Sequence, residues 1–252
     1  MKKLTAIALL CLLLIGCRPK MEKPIQTDPP VPVPERIFPT AEAATEEPAE
    51  EPTEEPTEPP AEEPTQPPEN QDLVLVTDFI PGVCVELAYA TEQNFTGQTI
   101  YEFTECYLRY GTVKKLKLAA EELAEQGLGI LIWDGFRPVA AQQKLWDVCP
   151  DAAFVSHPVT GYRAHCRGNA VDLTLVDLQT GEELEMPTGF DVFTALADRD
   201  YSDCTQTAEE NARLLEEVMQ KHGFTPYSAE WWHFTDMTDY PVDEDFNPAG
   251  VG

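Results

Sequence analysis

Residues 18–70 are so rich in proline and glutamate that they cannot build a folded core, which confines any globular domain to the rest of the chain. Fifteen of the 23 prolines lie in this segment, together with the near-repeat Glu-Glu-Pro-Thr-Glu-Glu-Pro-Thr, and scarcely any apolar residue follows Phe38. Such a segment cannot offset its ordering entropy by burying apolar surface. We therefore predict a disordered, extended linker over residues 18–71 and a single domain over residues 72–252. The linker serves either as a stalk or as simple filler.

The first 17 residues have the pattern of an export signal. A basic start, Met1-Lys2-Lys3, precedes a short apolar run that ends in Leu14-Ile15-Gly16-Cys17. The run is too short for a comfortable membrane span. The tetrapeptide resembles the lipobox of bacterial lipoproteins, which implies lipidation at Cys17 and an extracytoplasmic, membrane-anchored protein. The alternative is an ordinary signal peptide with a chance cysteine.

The charge of the chain narrows the choice of partners. Of the formal net charge of −28, residues 71–252 contribute −20 through 31 acidic and 11 basic residues. Nucleic acid binding needs clustered Lys and Arg, so we expect no nucleic acid partner. Export permits disulfides, but their pairing is left open by an odd number of cysteines beyond Cys17, namely Cys84, Cys106, Cys149, Cys166 and Cys204.

Hydrophobic periodicity in the domain predicts a mixture of strands and helices. The strands are expected over residues 73–76, 83–90, 129–133, 170–176 and 224–234. The helices are expected over residues 105–126, with a break or start near Gly111, over 139–147, and over 207–222 with a capping box of Thr207 and Glu210. We predict an α+β fold, a single domain with a central, mostly antiparallel sheet flanked by helices.

Two short motifs combine histidine with carboxylates. His165 precedes Asp172 by seven residues, and Glu230 precedes His233 by three. Three protein ligands with one open position are typical of a catalytic zinc site, whereas structural zinc is closed by four ligands. The remaining carboxylate suits a general base. Cys166 is expected to be incidental, because adjacent residues on an extended strand point to opposite faces.

The same residues resemble the motifs of a known enzyme family. The segment His165-Cys-Arg-Gly-Asn-Ala-Val-Asp172 is similar to the His-x-x-Gly-x-Ala-x-Asp motif of D-alanyl-D-alanine dipeptidases of the VanX type, which belong to the zinc D,D-peptidases. Glu230-Trp-Trp-His233 is similar to their second motif, Glu-x-x-His. Three further matching segments start at Tyr89, Asp134 and Thr188.

The resemblance implies a role for each matching position. His165, Asp172 and His233 would bind Zn²⁺, and Glu230 would be the catalytic base. Arg137 would contact the substrate carbonyl oxygen, with a surface or salt-bridged arginine as the alternative interpretation. Asp191 would receive the substrate ammonium. One departure concerns Arg163-Ala164, which stands where the family usually has serine just before the motif histidine, so a hydroxyl that could help hold the substrate is absent.

These inferences lead to a ranked set of functions. The first is zinc-dependent hydrolysis of the D-Ala-D-Ala dipeptide in cell-wall peptide metabolism. The second is a D,D- or related zinc carboxypeptidase acting on peptidoglycan stem peptides. The third, from a different class, is a non-catalytic, zinc-stabilised lipoprotein that binds wall fragments; the presence of Glu230 argues against it, because a structural site needs no base.

Overall fold

The structure, a computed structural model, describes residues 66–152 and 154–251. The predicted signal peptide, Cys17 and residues 18–65 of the predicted linker lie outside these residues. Among the described residues, no helix combines the length and apolar character needed to cross a bilayer.

The domain contains seven strands and four helices in the described part of the chain. The strands are β1 Leu73–Leu75, β2 Cys84–Val85, β3 Tyr107–Arg109, β4 Leu128–Asp134, β5 Ala170–Asp177, β6 Phe224–Tyr227 and β7 Glu230–Asp236. The helices are α1 Tyr110–Ala124, α2 Val139–Val148, the single turn α3 Ala164–Arg167, and α4 Gln206–Lys221.

The main sheet has five strands in the order β2-β4-β5-β7-β6. Only the short β2 runs parallel to its neighbour, and the other neighbouring pairs are antiparallel. Strands β1 and β3 form a separate antiparallel pair. The prediction of a single α+β domain with a mostly antiparallel central sheet is therefore confirmed.

The centre of this sheet is buried because β4 and β5 carry apolar residues on both faces. Leu131, Ile132, Leu173 and Leu175 are fully buried. Helices α1 and α4 pack against each other and against the sheet. Strands covered on both sides read as continuous apolar runs, which is why the sequence predicted β4 and β5 nearly to the residue.

Three predicted elements were wrong in their extent. The helix expected from residue 105 is preceded by β3, because residues 107–109 pair with β1 and only then does α1 start. The strand expected over residues 83–90 shrinks to β2 followed by a 3-10 turn, Ala88–Ala90. The strand expected over residues 224–234 is a hairpin of β6 and β7.

The predicted capping box of α4 was also wrong by two residues. The Thr205 hydroxyl accepts a hydrogen bond from the backbone N–H of Ala208 at 3.1 Å, and Thr205 is the N-cap. Thr207, the expected cap, lies inside the first turn. Both threonines precede a polar, acidic stretch, so the sequence pattern alone does not separate them.

A buried arginine joins the start of the domain to its later parts. Arg109 donates to the backbone carbonyls of Gln71 at 2.6 Å, Arg167 at 2.8 Å and Pro241 at 3.1 Å. The Gly111 N–H also donates to the Asn70 carbonyl at 3.0 Å. The last residues of the predicted linker are therefore hydrogen-bonded to the domain.

Candidate metal centre and active site

Strand pairing brings two of the predicted metal ligands together. Asp172 on β5 is the cross-strand partner of His233 on β7, and Asp134 on β4 is the partner of Asp172 on its other side. Side chains directly opposite one another in antiparallel strands lie on the same face, with Cβ atoms about 5 Å apart. A row of Asp134, Asp172 and His233 therefore crosses three strands of the sheet.

The strand register shifts at two places beside this row of side chains. The register shifts between Ile132 and Asp134, next to the end of β4. It shifts again in the β6–β7 hairpin, where Tyr227 pairs with Glu230 although Pro226 pairs with Phe234. In a regular strand, residues three apart point to opposite faces. With the irregularity, a Glu230 carboxylate oxygen lies 3.9 Å from His233 Nδ1.

His165 reaches the same place from the single-turn helix α3, not from a strand as we expected. The helix ends at Gly168, whose φ of 71° lies in the left-handed region. This backbone angle favours glycine, and a Cβ at this position would also lie 2.6 Å from Leu73 Cδ2, so the leucine side chain would have to move. The glycine of the motif therefore ends the turn that carries the histidine. The argument that Cys166 lies on an extended strand was wrong for the same reason.

The three predicted ligands converge on one point. His165, Asp172 and His233 each offer a ligand atom, and these atoms all lie within 4.8 Å of one another. His165 Nε2 is 3.3 Å from His233 Nδ1 and 3.3 Å from an Asp172 oxygen. The other Asp172 oxygen is 2.9 Å from His233 Nδ1.

The outer nitrogens of both imidazoles are occupied, which leaves the inner nitrogens as lone-pair donors. His165 Nδ1 donates to the Gly135 carbonyl at 2.8 Å, and His233 Nε2 is hydrogen-bonded to the Thr235 hydroxyl at 3.0 Å. When the rings are neutral and carry their protons on the outer nitrogens, two nitrogen lone pairs face the Asp172 carboxylate, an arrangement that a cation relieves. Hydrogen bonds to the outer nitrogens are typical of metal-binding histidines. The donor set fits a zinc ion.

The pKa values in this cluster follow from burial and mutual attraction. Burial alone would raise the pKa of Asp172, but the two imidazoles outweigh it and hold that pKa well below its usual range. Burial would lower the pKa of His165, but the Asp172 and Asp134 carboxylates raise it above its usual value. Asp172 is therefore ionised at neutral pH, as a metal ligand must be.

Glu230 lies beside the cluster in a largely desolvated position. Burial, with a smaller contribution from the negative charges of Asp172 and Asp191, raises its pKa to about 7, against the opposing effect of His233. A carboxyl group that titrates near neutral pH can both accept and return a proton under physiological conditions. This is the property expected of the predicted base.

Arg137 is buried and held in place from three sides. Its guanidinium donates to Asp134 at 2.6 Å and to the Gln142 side-chain oxygen at 2.9 Å, and it lies 5.2 Å from the Tyr89 ring centroid. Burial works against the charge, but Asp134 keeps the pKa of Arg137 above its usual value. Arginine has five N–H donors. Of the alternative interpretation, the surface location was wrong, whereas the salt bridge is present, between Arg137 and Asp134 at 2.6 Å.

Asp191 occupies a left-handed backbone conformation, with φ of 56°. Its carboxylate accepts a hydrogen bond from the Tyr89 hydroxyl at 2.6 Å. Burial raises the pKa of Asp191 to about 7, in spite of that hydrogen bond. Strained backbone angles of this kind cluster at functional sites. An ammonium group is the partner that would relieve such a poorly solvated carboxylate.

All six predicted site residues in the described part of the chain border a single cavity of about 430 Å³. They are Glu230, Arg137, His165, Asp172, His233 and Asp191. Asp134, Gln142 and Tyr89 have no predicted role, although these side chains hold Arg137 and Asp191. Asp134 and Tyr89 lie within matching segments, which was the available signal. Nothing in the sequence singles out Gln142.

Comparison with known proteins extends these observations to the whole domain. The peptidase M15 family, described as D-Ala-D-Ala dipeptidase, matches residues 69–249. The D-alanyl-D-alanine dipeptidase of Escherichia coli K12 is 34% identical over 176 residues, covering 69% of this chain and 90% of that protein. The protein of the same name from Enterococcus faecium is 31% identical over 188 residues, covering 67% and 93%. Another from Streptomyces coelicolor is 31% identical over 183 residues, covering 65% and 91%.

The fold, the ligand cluster and these relatives define an enzyme of the peptidase class. Within that class, the chain belongs to the M15 family of D-Ala-D-Ala dipeptidases. The expectation of an enzyme is confirmed.

The raised pKa of Asp191 predicts a stability that depends on pH. The ordinary pKa of 3.8 rises to about 7 in the folded protein, so the folded state holds this proton more tightly. The stability that the proton contributes is complete below about pH 4 and is lost as the pH rises through 7. In metal-free protein at pH 8, Asp191→Asn should therefore unfold at higher urea concentration than wild type. We expect the variant to gain about 1–2 kcal/mol in free energy of unfolding at pH 8. This is less than the pKa shift alone would give, because the Asp191 side chain keeps some solvent contact.

The difference between Asp191→Asn and wild type should shrink as the pH falls and should nearly vanish at pH 4, where the folded and the unfolded state both largely hold the proton. Asp203→Asn, which removes an exposed carboxylate from a loop, is the control and should show no such dependence. An equal effect of Asp191→Asn at both pH values would contradict a buried, poorly solvated carboxylate.

Proposed function

We propose that this protein hydrolyses the D-Ala-D-Ala dipeptide with a zinc ion held by His165, Asp172 and His233. The observation that carries the proposal is the convergence of these three ligand atoms beside Glu230, in a cavity that also contains Arg137 and Asp191. Membership of the dipeptidase family agrees with it. The ion would supply Lewis-acid stabilisation of negative charge on the substrate.

Glu230 is the proposed general base. With its pKa raised to about 7 by burial, it can take a proton from the attacking water near neutral pH. The same carboxyl group can then pass that proton to the departing amine. Its place beside His233, 3.9 Å away, keeps it close to the metal ligands without using it as one.

Arg137 is proposed to stabilise the negative charge that develops on the carbonyl oxygen. Asp134 and Gln142 fix the guanidinium before substrate arrives, so little reorganisation is needed during the reaction. Within the described residues, Arg137 donates through its single Nε–H, one N–H of Nη1 and one N–H of Nη2. Nη1 and Nη2 each carry a second N–H, which is left for the substrate.

Asp191 is proposed to bind the free ammonium of the dipeptide. A dipeptide has little apolar surface, so selectivity must come from its charges. A blocked amino group would leave the Asp191 carboxylate desolvated and without a cationic partner, which is unfavourable. This property separates a dipeptidase from an enzyme that trims stem peptides, whose equivalent nitrogen is an amide.

Glu230→Gln should lower kcat by about 10²- to 10⁴-fold, the contribution typical of general acid–base catalysis. The bound zinc, measured by elemental analysis, should stay at one ion per chain because the three ligands are untouched. Glu217→Gln, on the exposed face of α4, is the matched control and should retain wild-type turnover. Full activity of Glu230→Gln would remove the proposed base.

The substrate is tested by comparing D-Ala-D-Ala with N-acetyl-D-Ala-D-Ala, using D-alanine release as the readout. We expect the blocked peptide to be hydrolysed at least 100-fold less efficiently, about 3 kcal/mol, since a buried carboxylate loses its charged partner. Asp191→Asn should slow hydrolysis of the free dipeptide only, and so reduce the ratio between the hydrolysis efficiencies of the free and the blocked peptide. Preferential turnover of the blocked peptide would instead favour the D,D-carboxypeptidase.

We propose further that the enzyme is exported and anchored to the membrane by lipid at Cys17, with residues 18–71 as its linker. The support is the sequence pattern around Cys17 and the proline-rich composition that follows. In bacterial cells, the wild-type chain should incorporate labelled palmitate and sediment with membranes. Cys17→Ala should lose the label, and an unlabelled wild-type chain would contradict the anchor.

A further inference from the structure

Arg199 is a buried arginine that lies outside the cavity but contacts the segment that carries Glu230 and His233. Its side chain is only 8% exposed, and it belongs to the loop before α4. The guanidinium forms an ion pair with Glu216 of α4 at 3.0 Å, and its Cζ lies 4.5 Å from the centroid of the Phe234 ring. A charge buried to this extent needs hydrogen-bond partners, and backbone carbonyls provide most of them.

Three backbone carbonyls of the β6–β7 hairpin accept hydrogen bonds from Arg199. Its backbone N–H donates to Ser228 at 3.2 Å, its Nε to Tyr227 at 2.8 Å, and its Nη2 to His233 at 3.0 Å. Glu230 lies between these contacts along the chain. Arg199 therefore restrains both ends of the segment that carries the proposed base and one proposed metal ligand.

The irregular register of this hairpin explains why its carbonyls need a partner outside the sheet. Pro226 pairs with Phe234, whereas the next residue, Tyr227, pairs with Glu230, so three residues of β7 lie between the two partners. His233 is the last of these three. Such an irregularity interrupts the hydrogen-bond ladder, and a carbonyl that leaves the ladder needs another donor. The guanidinium supplies a donor to the carbonyls of Tyr227 and His233, one on each side of the irregularity.

The same irregularity brings Glu230 and His233 together. These residues are three apart, and in a regular strand they would point to opposite faces of the sheet. In this hairpin a Glu230 carboxylate oxygen lies 3.9 Å from His233 Nδ1. A guanidinium can hold two carbonyl oxygens at once, because it is planar and presents its N–H donors in fixed directions. The contacts of Arg199 therefore stabilise the backbone conformation in which base and ligand meet.

We infer that Arg199 is a positioning residue for the proposed hydrolysis, which holds the β6–β7 hairpin so that Glu230 and His233 keep their relative positions. It acts through the backbone of these residues, because it is not part of the cavity wall. The inference rests on the proposed function, since it names a residue that supports the base and one ligand of that same site. Removing it should misplace the base and the ligand, while Arg137 and Asp191, which lie on other segments, stay in place.

The first test compares kcat and KM for D-Ala-D-Ala between the full-length, zinc-saturated wild type and Arg199→Ala. We expect kcat to fall by roughly 10- to 100-fold, the effect of a small misplacement of catalytic groups. KM should change by less than about twofold, because the groups proposed to bind the substrate are untouched. The control is Val113→Ala, which shortens a buried side chain of α1 and removes no partner of Arg199. It should lower the urea midpoint of unfolding and keep the wild-type kcat.

Arg199→Lys separates the position of the hairpin from the stability of the domain. Lysine keeps the charge beside Glu216 but loses the planar fork that holds two carbonyls. The urea midpoint should recover most of the loss seen with alanine, whereas kcat should stay at least about fivefold below wild type. If Arg199 served stability alone, every variant that is folded at the assay temperature would have the wild-type kcat. The lysine variant also carries the comparison if the alanine variant does not fold.

Two further readouts do not depend on turnover. The zinc Kd, measured by competition with a chelator, should rise by roughly 10-fold or more in Arg199→Ala, as when a group that orients a metal ligand is removed. In metal-free Arg199→Ala, amide hydrogen exchange should become faster over residues 227–234 and keep its wild-type rates in β4. Val113→Ala should leave the zinc Kd at the wild-type value.

A folded Arg199→Ala protein with wild-type kcat, zinc Kd and hairpin exchange would overturn the inference. A rise in KM as large as the fall in kcat would also contradict it, because the substrate-binding groups would then have moved. A wild-type protein that releases no D-alanine would refute the proposed function alone. In that case the zinc Kd and the exchange rates of the hairpin would still decide the role of Arg199.

Discussion

The pairing of β5 with β7 is the interaction on which the candidate site depends. It sets Asp172 opposite His233, although these residues are 61 positions apart in the chain. A slip of one residue would turn one of the two side chains to the other face of the sheet. The apolar residues around them, Leu173, Leu175 and Phe234 among them, are fully buried and so fix the register. The register that buries these apolar residues is therefore the same register that places Asp172 opposite His233.

The environment divides the carboxyl groups of the cavity into two kinds. Asp172 faces two imidazoles, which hold its pKa low in spite of burial. Glu230 and Asp191 are also poorly solvated, but opposite charges compensate them less, and the pKa of each rises to about 7. Groups of one chemical type thereby differ in their protonation: Asp172 is suited to be an anionic ligand, and the other two carboxyl groups respond near neutral pH.

Much of the fold followed from periodicity, and the reasons for the errors are physical. Strands β4 and β5 and helix α2 were predicted closely, because a continuous apolar run and a proline at a helix start are local signals. The β6–β7 hairpin was missed because its turn, Ser228-Ala229, lacks Gly, Asn and Asp, and a single serine is a weak turn signal. The extra strand β3 was missed because pairing with β1, more than 30 residues earlier, overrides local helical preference.

The candidate site residues were predicted from the sequence, but the contacts that hold them in place were not. The predicted positions of His165, Asp172, His233, Glu230, Arg137 and Asp191 all border one cavity. The supporting contacts of Tyr89 and Gln142 could not be foreseen, because each joins segments that meet only in the folded chain. The single-turn helix under His165 was also unexpected, since four residues are too few for a periodic signal.

By itself, the sequence determined where a core can form and which chemical groups are available. Proline and glutamate exclude a core from residues 18–70, and the types of side chain in the two motifs define the possible donors. The tertiary structure alone decided the distances between those donors, the left-handed angles at Arg163 and Asp191, and the shifted pKa values. Composition and local spacing act through near neighbours along the chain. Distances, strain and desolvation depend on contacts between residues far apart in sequence, and these exist only after folding.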